Sequence, residues 1–310
     1  MSEHDLQRNA LSGKWTVLVP GRRLRPSDGA SSDPCPFCAG NEHLTPPEIE
    51  AVRPRGGVAD GPGWTVRVVP NKFPVCAHGH EVVIHSPDHR AGLAALPEDH
   101  VATVLSVCQR RLAALCTSGA AAVALIVNQG FGAGASLAHP HTQLFATPIV
   151  PPALLAELDN FALYETKHDG CLLCDLMARA RDEGDRLVLD DDVIAWTPTA
   201  SRWPFELWLA PRRHEADFGT TDPRRLAGPL RRVLAAAAAA TGDAALNWWV
   251  HTVPCRHDGP FHWHVELTPR LTAIAGFELA TDVAIDVLAP ADAAAQLREA
   301  LGRASPDPAL

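Results

Sequence analysis

The second half of this 310-residue chain repeats the order of motifs in its first half. Each half starts with a Cys-x-x-Cys pair, continues with strand-like segments and a long helix-like segment, and ends on a His-x-His strand. A fixed order of shared landmarks in both halves indicates that one structural unit has been duplicated. The cysteine pairs are Cys35–Cys38 and Cys171–Cys174, and the histidine pairs are His139–His141 and His262–His264.

Hydrophobic periodicity predicts the elements of each copy. Apolar residues form one helical stripe over residues 98–115, and residues 222–241 take the same place in the second copy. The predicted fold class is α+β, a mostly antiparallel sheet with packed helices. Residues 152–170 are the natural connector, so we expect domains 1–151 and 152–310. The strand candidates are 64–71, 80–89, 122–130, 142–148, 186–198, 205–214, 245–254 and 261–269.

Composition places the chain among globular proteins and excludes several classes of partner. The net charge is −9 and lysines and arginines are scattered, which argues against a nucleic-acid groove. No apolar run reaches the roughly eighteen residues of a membrane span, and the first residues lack a signal-peptide pattern. We therefore expect a cytoplasmic protein that binds neither nucleic acid nor membrane, without a disulfide framework. Core or reduced surface thiols are expected at Cys76, Cys108, Cys116 and Cys255.

The two cysteine pairs suggest two zinc sites, because one tight turn presents two thiolates and zinc prefers four ligands of this kind. Each site needs two more ligands, and the duplication points to equivalent histidines in each copy. The alternative is that each pair consists of small buried residues without a metal. The predicted ligands are Cys35, Cys38, His89 and His139 in the first copy and Cys171, Cys174, His214 and His262 in the second.

A histidine next to a metal ligand is a candidate nucleophile. If His139 binds metal, Pro140 fixes the backbone between it and His141 and holds the second ring rigidly. An imidazole nitrogen can attack phosphorus and divide one difficult displacement into two easier ones. Gln143 lies on the same strand face as His141 and can donate an amide hydrogen bond to a phosphate oxygen.

The glycine-rich loop 130–136 suits phosphate binding, because glycines let backbone N–H groups approach an anion closely. Ser136 adds a hydroxyl at the end of this loop. The second copy lacks the loop and has Glu266 where the first has Gln143, and a carboxylate would repel phosphate. We therefore predict one active centre, in the first copy.

These motifs resemble the galactose-1-phosphate uridylyltransferase family of the histidine-triad superfamily. The His-Pro-His-x-Gln element together with Cys-Pro-Phe-Cys-x-Gly-Asn-Glu is specific to that family, whereas His-x-His alone would not be. The resemblance implies a duplicated histidine-triad (HIT-like) unit, a homodimer, and ping-pong transfer of a nucleoside monophosphate through a nucleotidyl-histidine. It is carried by residues 11–26, 35–49, 71–74, 86–89, 128–143, 203–214 and 261–279.

Position by position, the resemblance implies that His141 is the nucleophile and that Gln143 stabilises the covalent intermediate. It also implies a set of residues that contact the nucleotide or its phosphates. The alternative for the arginines in this set is a solvated surface, and for the asparagines a turn or cap role. The set comprises Arg22, Arg25, Asn71, Asn128 and Ser136, together with Gln143.

The chain departs from better-known members at a second metal site. Some bacterial members use a glutamate and three histidines there, which match Glu157, His251, His262 and His264, and they lack the second cysteine pair. The pair at Cys171 resembles the ADP-glucose phosphorylase-like branch and favours the cysteine-containing set, with zinc or iron as the metal. His262 belongs to both sets, so we do not expect both to be filled together.

The sugar-binding region also differs, because Gly276, Phe277, Thr281 and Asp282 stand where hexose-binding members carry a lysine, a tyrosine and a glutamate. Galactose specificity is thereby weakened. The leading hypothesis is a hexose-1-phosphate uridylyltransferase that uses UDP-glucose and a sugar 1-phosphate. The alternatives are a nucleotide-sugar or dinucleotide phosphorylase acting on an adenine nucleotide, and a non-catalytic zinc-stabilised nucleotide-binding protein.

Overall fold

The structure is a computed structural model that describes residues 6–19, 34–76 and 79–304. Its strands are β1 (Leu6–Arg8), β2 (Trp15–Val17), β3 (Glu50–Val52), β4 (Val66–Pro70), β5 (His80–Ile84), β6 (Ala122–Gln129), β7 (His141–Thr147), β8 (Leu187–Asp190), β9 (Val193–Trp196), β10 (Leu207–Pro211), β11 (Leu246–His251) and β12 (His264–Pro269). β1 and β2 form a small hairpin, and the other ten strands form one antiparallel sheet.

The strand order of the large sheet shows the duplication. Across the sheet the order is β3-β4-β5-β7-β6-β11-β12-β10-β9-β8. Each copy therefore contributes five strands in the same internal order, and the two sets are related by an approximate two-fold axis. β6 and β11 pair at the centre, with Asn128 opposite Asn247. This arrangement confirms the predicted α+β fold with a mostly antiparallel sheet.

The helices are α1 (Glu98–Thr117), α2 (Pro152–His168), α3 (Leu172–Glu183), α4 (Pro223–Thr241), α5 (Gly276–Thr281) and α6 (Pro290–Ala304). α1 and α4 each follow the third strand of their copy and pack against each other. α4 begins where the Asp222 carboxylate accepts a hydrogen bond from the Arg224 N–H, and it ends at Gly242 in the left-handed conformation.

The two faces of the central strands have different roles. Leu125 and Val127 of β6 and Leu144 of β7 are buried in the main core together with the apolar residues of α1. Ile126 pairs with Gln143 across β6 and β7. Because side chains alternate along a strand, Asn128, His141 and Gln143 share the face of the sheet that is opposite to α1. Helix packing thus leaves this face available for a site.

Two segments differ in detail from the sequence expectation. Residues 186–198 form a hairpin of two strands, β8 and β9, because Asp191 and Asp192 make the turn between them. The connector 152–170 is mostly the helix α2, and α3 follows it directly with Cys171 as its N-cap. The proposed domain division between residues 151 and 152 stays a prediction, although β6 and β11 join both halves in one sheet.

The expectation of free thiols at Cys116 and Cys255 is wrong. These residues form a disulfide with a Cα–Cα distance of 5.3 Å across a sequence separation of 139. The end of α1 and the loop after β11 meet here, and the Cys255 N–H donates to Ala121 O at 3.1 Å. The separation hides this proximity from sequence reasoning. Cys76 and Cys108 are free thiols, as expected.

Within the described residues, no helix combines the length and the apolar character needed to span a membrane.

Candidate active site and metal centres

Cys35, Cys38, His89 and His139 come together as the duplication predicts, with their ligand atoms all within 4.8 Å of one another. The Cys38 thiol lies 3.3 Å from His89 Nδ1 and 3.6 Å from His139 Nδ1. His139 is fully buried, and its Nε2 atom lies 2.8 Å from Ser86 O. Since a carbonyl oxygen only accepts, Nε2 carries the proton and the Nδ1 lone pair faces the thiols.

The residues after the first cysteine pair build the turn that presents the thiols. The Asn41 amide donates to Cys35 O at 2.9 Å. The buried Glu42 carboxylate accepts from Trp64 Nε1 at 2.8 Å and from the Gly40 N–H. The Gly-Asn-Glu part of the motif thus supports the metal-type cluster rather than the substrate cavity.

The second copy repeats this geometry with Cys171, Cys174, His214 and His262. Cys174 Sγ lies 3.4 Å from His262 Nδ1 and 3.8 Å from His214 Nδ1. The Nε2 atom of His262 donates to Pro211 O at 3.0 Å, so Nδ1 again faces the thiols. In both copies the donor atoms, spacing and outer hydrogen bond suit tetrahedral zinc.

The thiol pKa values also fit a bound cation. Burial and the neighbouring Cys35 raise the pKa of Cys38 to about 11, and burial and Cys171 raise the pKa of Cys174 to about 12. Burial lowers the pKa of His139 and of His262 to about 4, so both rings are neutral. Two adjacent thiolates beside neutral imidazoles become favourable when a cation neutralises the thiolate charge.

His141 begins β7 directly after this cluster and is 5% exposed. Its Nδ1 atom donates to His139 O at 2.8 Å, which fixes the tautomer with the lone pair on Nε2. Phe37 contacts both rings edge-on, with centroid distances of 6.0 Å to His139 and 5.3 Å to His141. The ring orientation of His141 is thus set by a residue of the metal-type cluster and by the cysteine turn.

Gln143 is oriented by His80, a residue that sequence reasoning missed. The Val75 N–H donates to His80 Nδ1 at 3.1 Å, so the His80 proton is on Nε2. Nε2 then donates to Gln143 Oε1 at 3.1 Å. With Oε1 engaged in this way, the amide NH₂ of Gln143 is the group presented to the cavity. The pairing of β5 with β7 places His80 opposite Phe145 and so within reach of Gln143, and no local sequence pattern specifies this register.

A cavity of about 340 Å³ opens over His141 and Gln143. Phe37, Phe73 and several prolines supply apolar walls, and Asn71 and Ser136 line it as well. Asn71 also accepts the Phe73 N–H through Oδ1 at 2.8 Å, so it fills the turn role considered as its alternative. An apolar cavity with a few polar groups at one end suits a heterocyclic base with phosphates near His141.

Asn128 lies on the other side of His141, where both line a second cavity of about 20 Å³. The glycine-rich loop approaches β11 closely, because a Cβ on Gly130 would lie 3.0 Å from Ala245 Cβ. Gly130 and Gly134 have φ values of 80° and 82°. The predicted phosphate residues Arg22 and Arg25 lie outside the described residues.

A third cluster lies in the second copy and contains Glu157, His251, His264 and Glu266. His251 Nδ1 lies 2.7 Å from Glu157 Oε1. His251 Nδ1 and Glu157 Oε2 are buried and have no hydrogen-bond partner among the described residues. Two imidazoles and two carboxylates that converge with two of their ligand-type atoms unsatisfied suit a shared cation.

This third cluster corrects the expectation that two metal sets would compete for His262. In the structure His262 belongs to the cysteine set alone, and Glu266 takes the remaining place beside His251 and His264. The glutamate was noted in the sequence only for its repulsion of phosphate. Strand pairing explains the difference, because β12 places Glu266 opposite Trp249 and His264 opposite His251.

Comparison with known proteins supports the family resemblance that the sequence motifs indicate. A family model of the galactose-1-phosphate uridyl transferase N-terminal domain matches residues 77–151. ADP-glucose phosphorylase of Arabidopsis thaliana is 28% identical, over 95% of this chain and 92% of the relative. Galactose-1-phosphate uridylyltransferase of Thermotoga maritima is 25% identical, over 95% of this chain and 98% of the relative.

A solved structure with the same fold covers nearly the whole chain. The crystal structure of Arabidopsis thaliana ADP-glucose phosphorylase with bound ADP-glucose matches with a TM-score of 0.79 at 29% identity, over 95% of this chain and 97% of that one. The fold, the paired cysteine and histidine clusters and the similarity to these relatives all indicate the same family. The chain is therefore a relative of the galactose-1-phosphate uridylyltransferase family, as its motifs predict.

Proposed function

We propose that the protein is a nucleotidyltransferase that acts on nucleotide sugars and sugar 1-phosphates through a covalent nucleotidyl-His141 intermediate. The observation that carries the proposal is the fixed tautomer of His141 in the cavity wall, with Nδ1–H on His139 O at 2.8 Å. The relatives over nearly the whole chain are a uridylyltransferase and a phosphorylase of nucleotide sugars.

In the first half-reaction the Nε2 lone pair attacks the α-phosphorus of the nucleotide sugar. A P–N bond forms, the bond from phosphorus to the bridging oxygen breaks, and the sugar 1-phosphate leaves with the electron pair. The ring becomes cationic while Nδ1 keeps its proton, and the hydrogen bond to His139 O strengthens as that charge develops. The second half-reaction reverses these steps with another phosphate as acceptor.

Gln143 and Ser136 stabilise the charge that develops on the non-bridging oxygens. His80 fixes the Gln143 amide so that its N–H groups face the cavity before the reaction begins. A preorganised neutral donor stabilises the transition state without repelling the incoming nucleotide. Asn71 and Asn128 are proposed nucleotide contacts, and Arg22 and Arg25 are proposed phosphate contacts.

The two Cys-Cys-His-His sets are proposed zinc sites with a structural role. The first holds His139 in place and so fixes the carbonyl that orients His141. The cluster of Glu157, His251, His264 and Glu266 has a harder donor set that suits iron or another divalent metal. A bound metal there would stabilise the second copy and would take no part in the transfer at His141.

The two candidate reactions differ in the acceptor of the nucleotidyl group. The uridylyltransferase reading uses UDP-glucose and a second sugar 1-phosphate. The phosphorylase reading uses inorganic phosphate and an adenine nucleotide, and it is favoured by the second cysteine pair and by the similarity to ADP-glucose phosphorylase. A homodimer and a cytoplasmic location belong to the proposal as well. The exposed apolar side chains of Ile274, Phe277 and Leu279 support an interface at α5.

The test is to incubate the protein with UDP-glucose or ADP-glucose and to measure its intact mass. We expect an added UMP or AMP that is absent in His141→Ala. Release of the adduct by galactose 1-phosphate supports the uridylyltransferase, and release by inorganic phosphate supports the phosphorylase. Nucleotide binding without an added mass would instead support the non-catalytic binding protein.

A further inference from the structure

A hydrogen-bond chain that reaches the active centre begins in the second copy. Asn247 of β11 donates from Nδ2 to Asn128 Oδ1 at 2.7 Å and to Ala133 O at 2.9 Å. A backbone carbonyl only accepts, so the NH₂ group of Asn247 must face Ala133. Its other N–H requires an acceptor, and this requirement turns Oδ1 of Asn128 toward Asn247.

The orientation of Asn128 then follows from the strand order. β6, which carries Asn128, lies between β11 with Asn247 and β7 with His141. With Oδ1 directed toward β11, the NH₂ group of Asn128 is directed toward β7. Asn128 and His141 line the same small cavity. An N–H donor is therefore presented beside the proposed nucleophile.

The same residue holds the glycine-rich loop against the second copy. Ala133, whose carbonyl accepts from Asn247, lies in the short 3-10 turn of this loop. Gly130 and Gly132 approach Ala245, and a Cβ on either would lie 3.0 Å or 3.2 Å from the Ala245 methyl. Asn247 thus fixes both the loop and the amide that flank His141.

We propose that Asn247 is a positioning residue of the active centre and acts through Asn128. It sets the polarity of the Asn128 amide so that an N–H group, rather than a carbonyl oxygen, meets an anionic phosphoryl oxygen of the bound nucleotide. The inference rests on the proposed nucleotidyl transfer at His141. It means that the second copy, which lacks a nucleophilic centre of its own, supplies part of the site in the first.

The test reverses this polarity with an isosteric change. Asn247→Asp replaces the NH₂ group with an oxygen that only accepts, so Asn128 must turn its NH₂ toward residue 247 and its oxygen toward His141. We expect the rate of nucleotidyl-enzyme formation from UDP-glucose or ADP-glucose to fall about 10²- to 10³-fold, as when one oxyanion donor is lost. Asn160→Asp, an exposed amide on α2, is the control with the same charge change.

A double-mutant cycle separates positioning from a general structural role. In an Asn128→Ala background, Asn247→Asp is expected to slow the rate clearly less than it does in the wild type, because the part of its effect that passes through the Asn128 amide is missing and only the lost hydrogen bond to Ala133 O remains. An equal loss in both backgrounds would overturn the proposal. The proposal would also be overturned if Asn247→Asp lowered Tm as much as Asn128→Ala does but left the rate of adduct formation unchanged at a temperature where the protein is folded.

The same double-mutant cycle can be measured as nucleotide affinity, by calorimetric titration of each variant with UDP and ADP. This reading applies even if the wild-type protein forms no adduct, a result that would refute the proposed function alone. Weaker binding in Asn247→Asp that disappears in the Asn128→Ala background supports the positioning role. Unchanged or additive affinity refutes it.

Discussion

The centre at His141 and its counterpart at His264 occupy equivalent places on the same face of one sheet, but they differ in charge. Asn128, His141 and Gln143 in the first copy correspond to His251, His264 and Glu266 in the second. In both centres the second histidine of the pair donates Nδ1–H to the carbonyl of the first, at 2.8 Å and 3.2 Å. The backbone scaffold and the histidine tautomer are thus shared.

The surrounding groups decide what each centre accepts. In the first copy two neutral amides flank the histidine beneath a cavity of about 340 Å³. In the second copy Glu157 of α2 reaches His251 and His264, and Arg202 pairs with Glu206 and Glu266. One centre can therefore receive an anion from solvent, whereas the other is closed by α2 and has carboxylates that suit a cation. The difference between the two roles corresponds to the amide of Gln143 in the first copy and the carboxylate of Glu266 in the second.

The largest effect is expected from removing the histidine of each centre in turn. His141→Ala should abolish the nucleotidyl adduct, because no other imidazole lines the large cavity among the described residues. His264→Ala should still form the adduct, and peptide mapping should place it on His141. An adduct that moves to residue 264, or that survives in His141→Ala, would contradict a single active centre.

The next effect tests the charge difference directly. Gln143→Glu gives the first centre the carboxylate of the second and places a negative charge beside the phosphate. We expect the rate of adduct formation at pH 7 to fall about 10²- to 10³-fold, through loss of a donor and added repulsion. The measurement is single-turnover mass spectrometry, with Gln129→Glu as a nearby control. A smaller loss than in this control would argue against Gln143 as the donor.

Substitution of one cysteine in each copy should separate the roles of the two metal-type clusters. Cys38→Ser and Cys174→Ser are each expected to lose about one zinc per chain by elemental analysis and to lower Tm, because metal binding stabilises the folded state. Only Cys38→Ser should also slow adduct formation strongly, since His139 orients His141. Equal effects on the rate would contradict this difference between the copies.

The smallest effect concerns the pH dependence of the second centre. Burial alone would raise the pKa of Glu266, but the hydrogen bond to His264 and the charge of Arg202 lower it to about 2. Its folded pKa lies below the unfolded value near 4.3, so its contribution is present above that value and is lost as pH falls toward 2. In protein freed of metal by a chelator, Glu266→Gln should therefore lower the free energy of unfolding by about 3 kcal/mol at pH 7.

The pH series also supplies the control for this variant. The difference in unfolding free energy between wild type and Glu266→Gln should shrink steadily between pH 4.5 and pH 2.5 in chemical denaturation. A difference that is constant with pH would mean that the substitution acts through packing rather than through the carboxylate charge.

The sequence predicts the parts of this molecule that repeat. The duplicated motif order indicated the paired half-sheets, and the same order selected both Cys-Cys-His-His sets from fifteen histidines. Contacts between neighbouring strands and between the two copies have no such signal. These contacts depend on strand register and helix packing, which local sequence patterns do not specify. They are the hydrogen bond between His80 and Gln143, the hydrogen bond between Asn247 and Asn128, and the disulfide between Cys116 and Cys255.

The sequence also assigned His262 to two competing metal sets, because spacing alone cannot show which way a ring points. In the structure the Pro211 carbonyl accepts from His262 Nε2 and directs Nδ1 to the thiols. Glu266 then serves the other cluster. The orientation of the His262 ring is thus set by its hydrogen bond to the Pro211 carbonyl, which no sequence motif specifies.

The disulfide between Cys116 and Cys255 closes a covalent loop of the chain that contains the connection between the two copies. Its 139-residue span includes α2, α3 and the exposed turn between them. A protease cut at that turn would leave two fragments that migrate together until a reductant is added. The disulfide therefore keeps the two halves covalently linked even where the chain between them is cut.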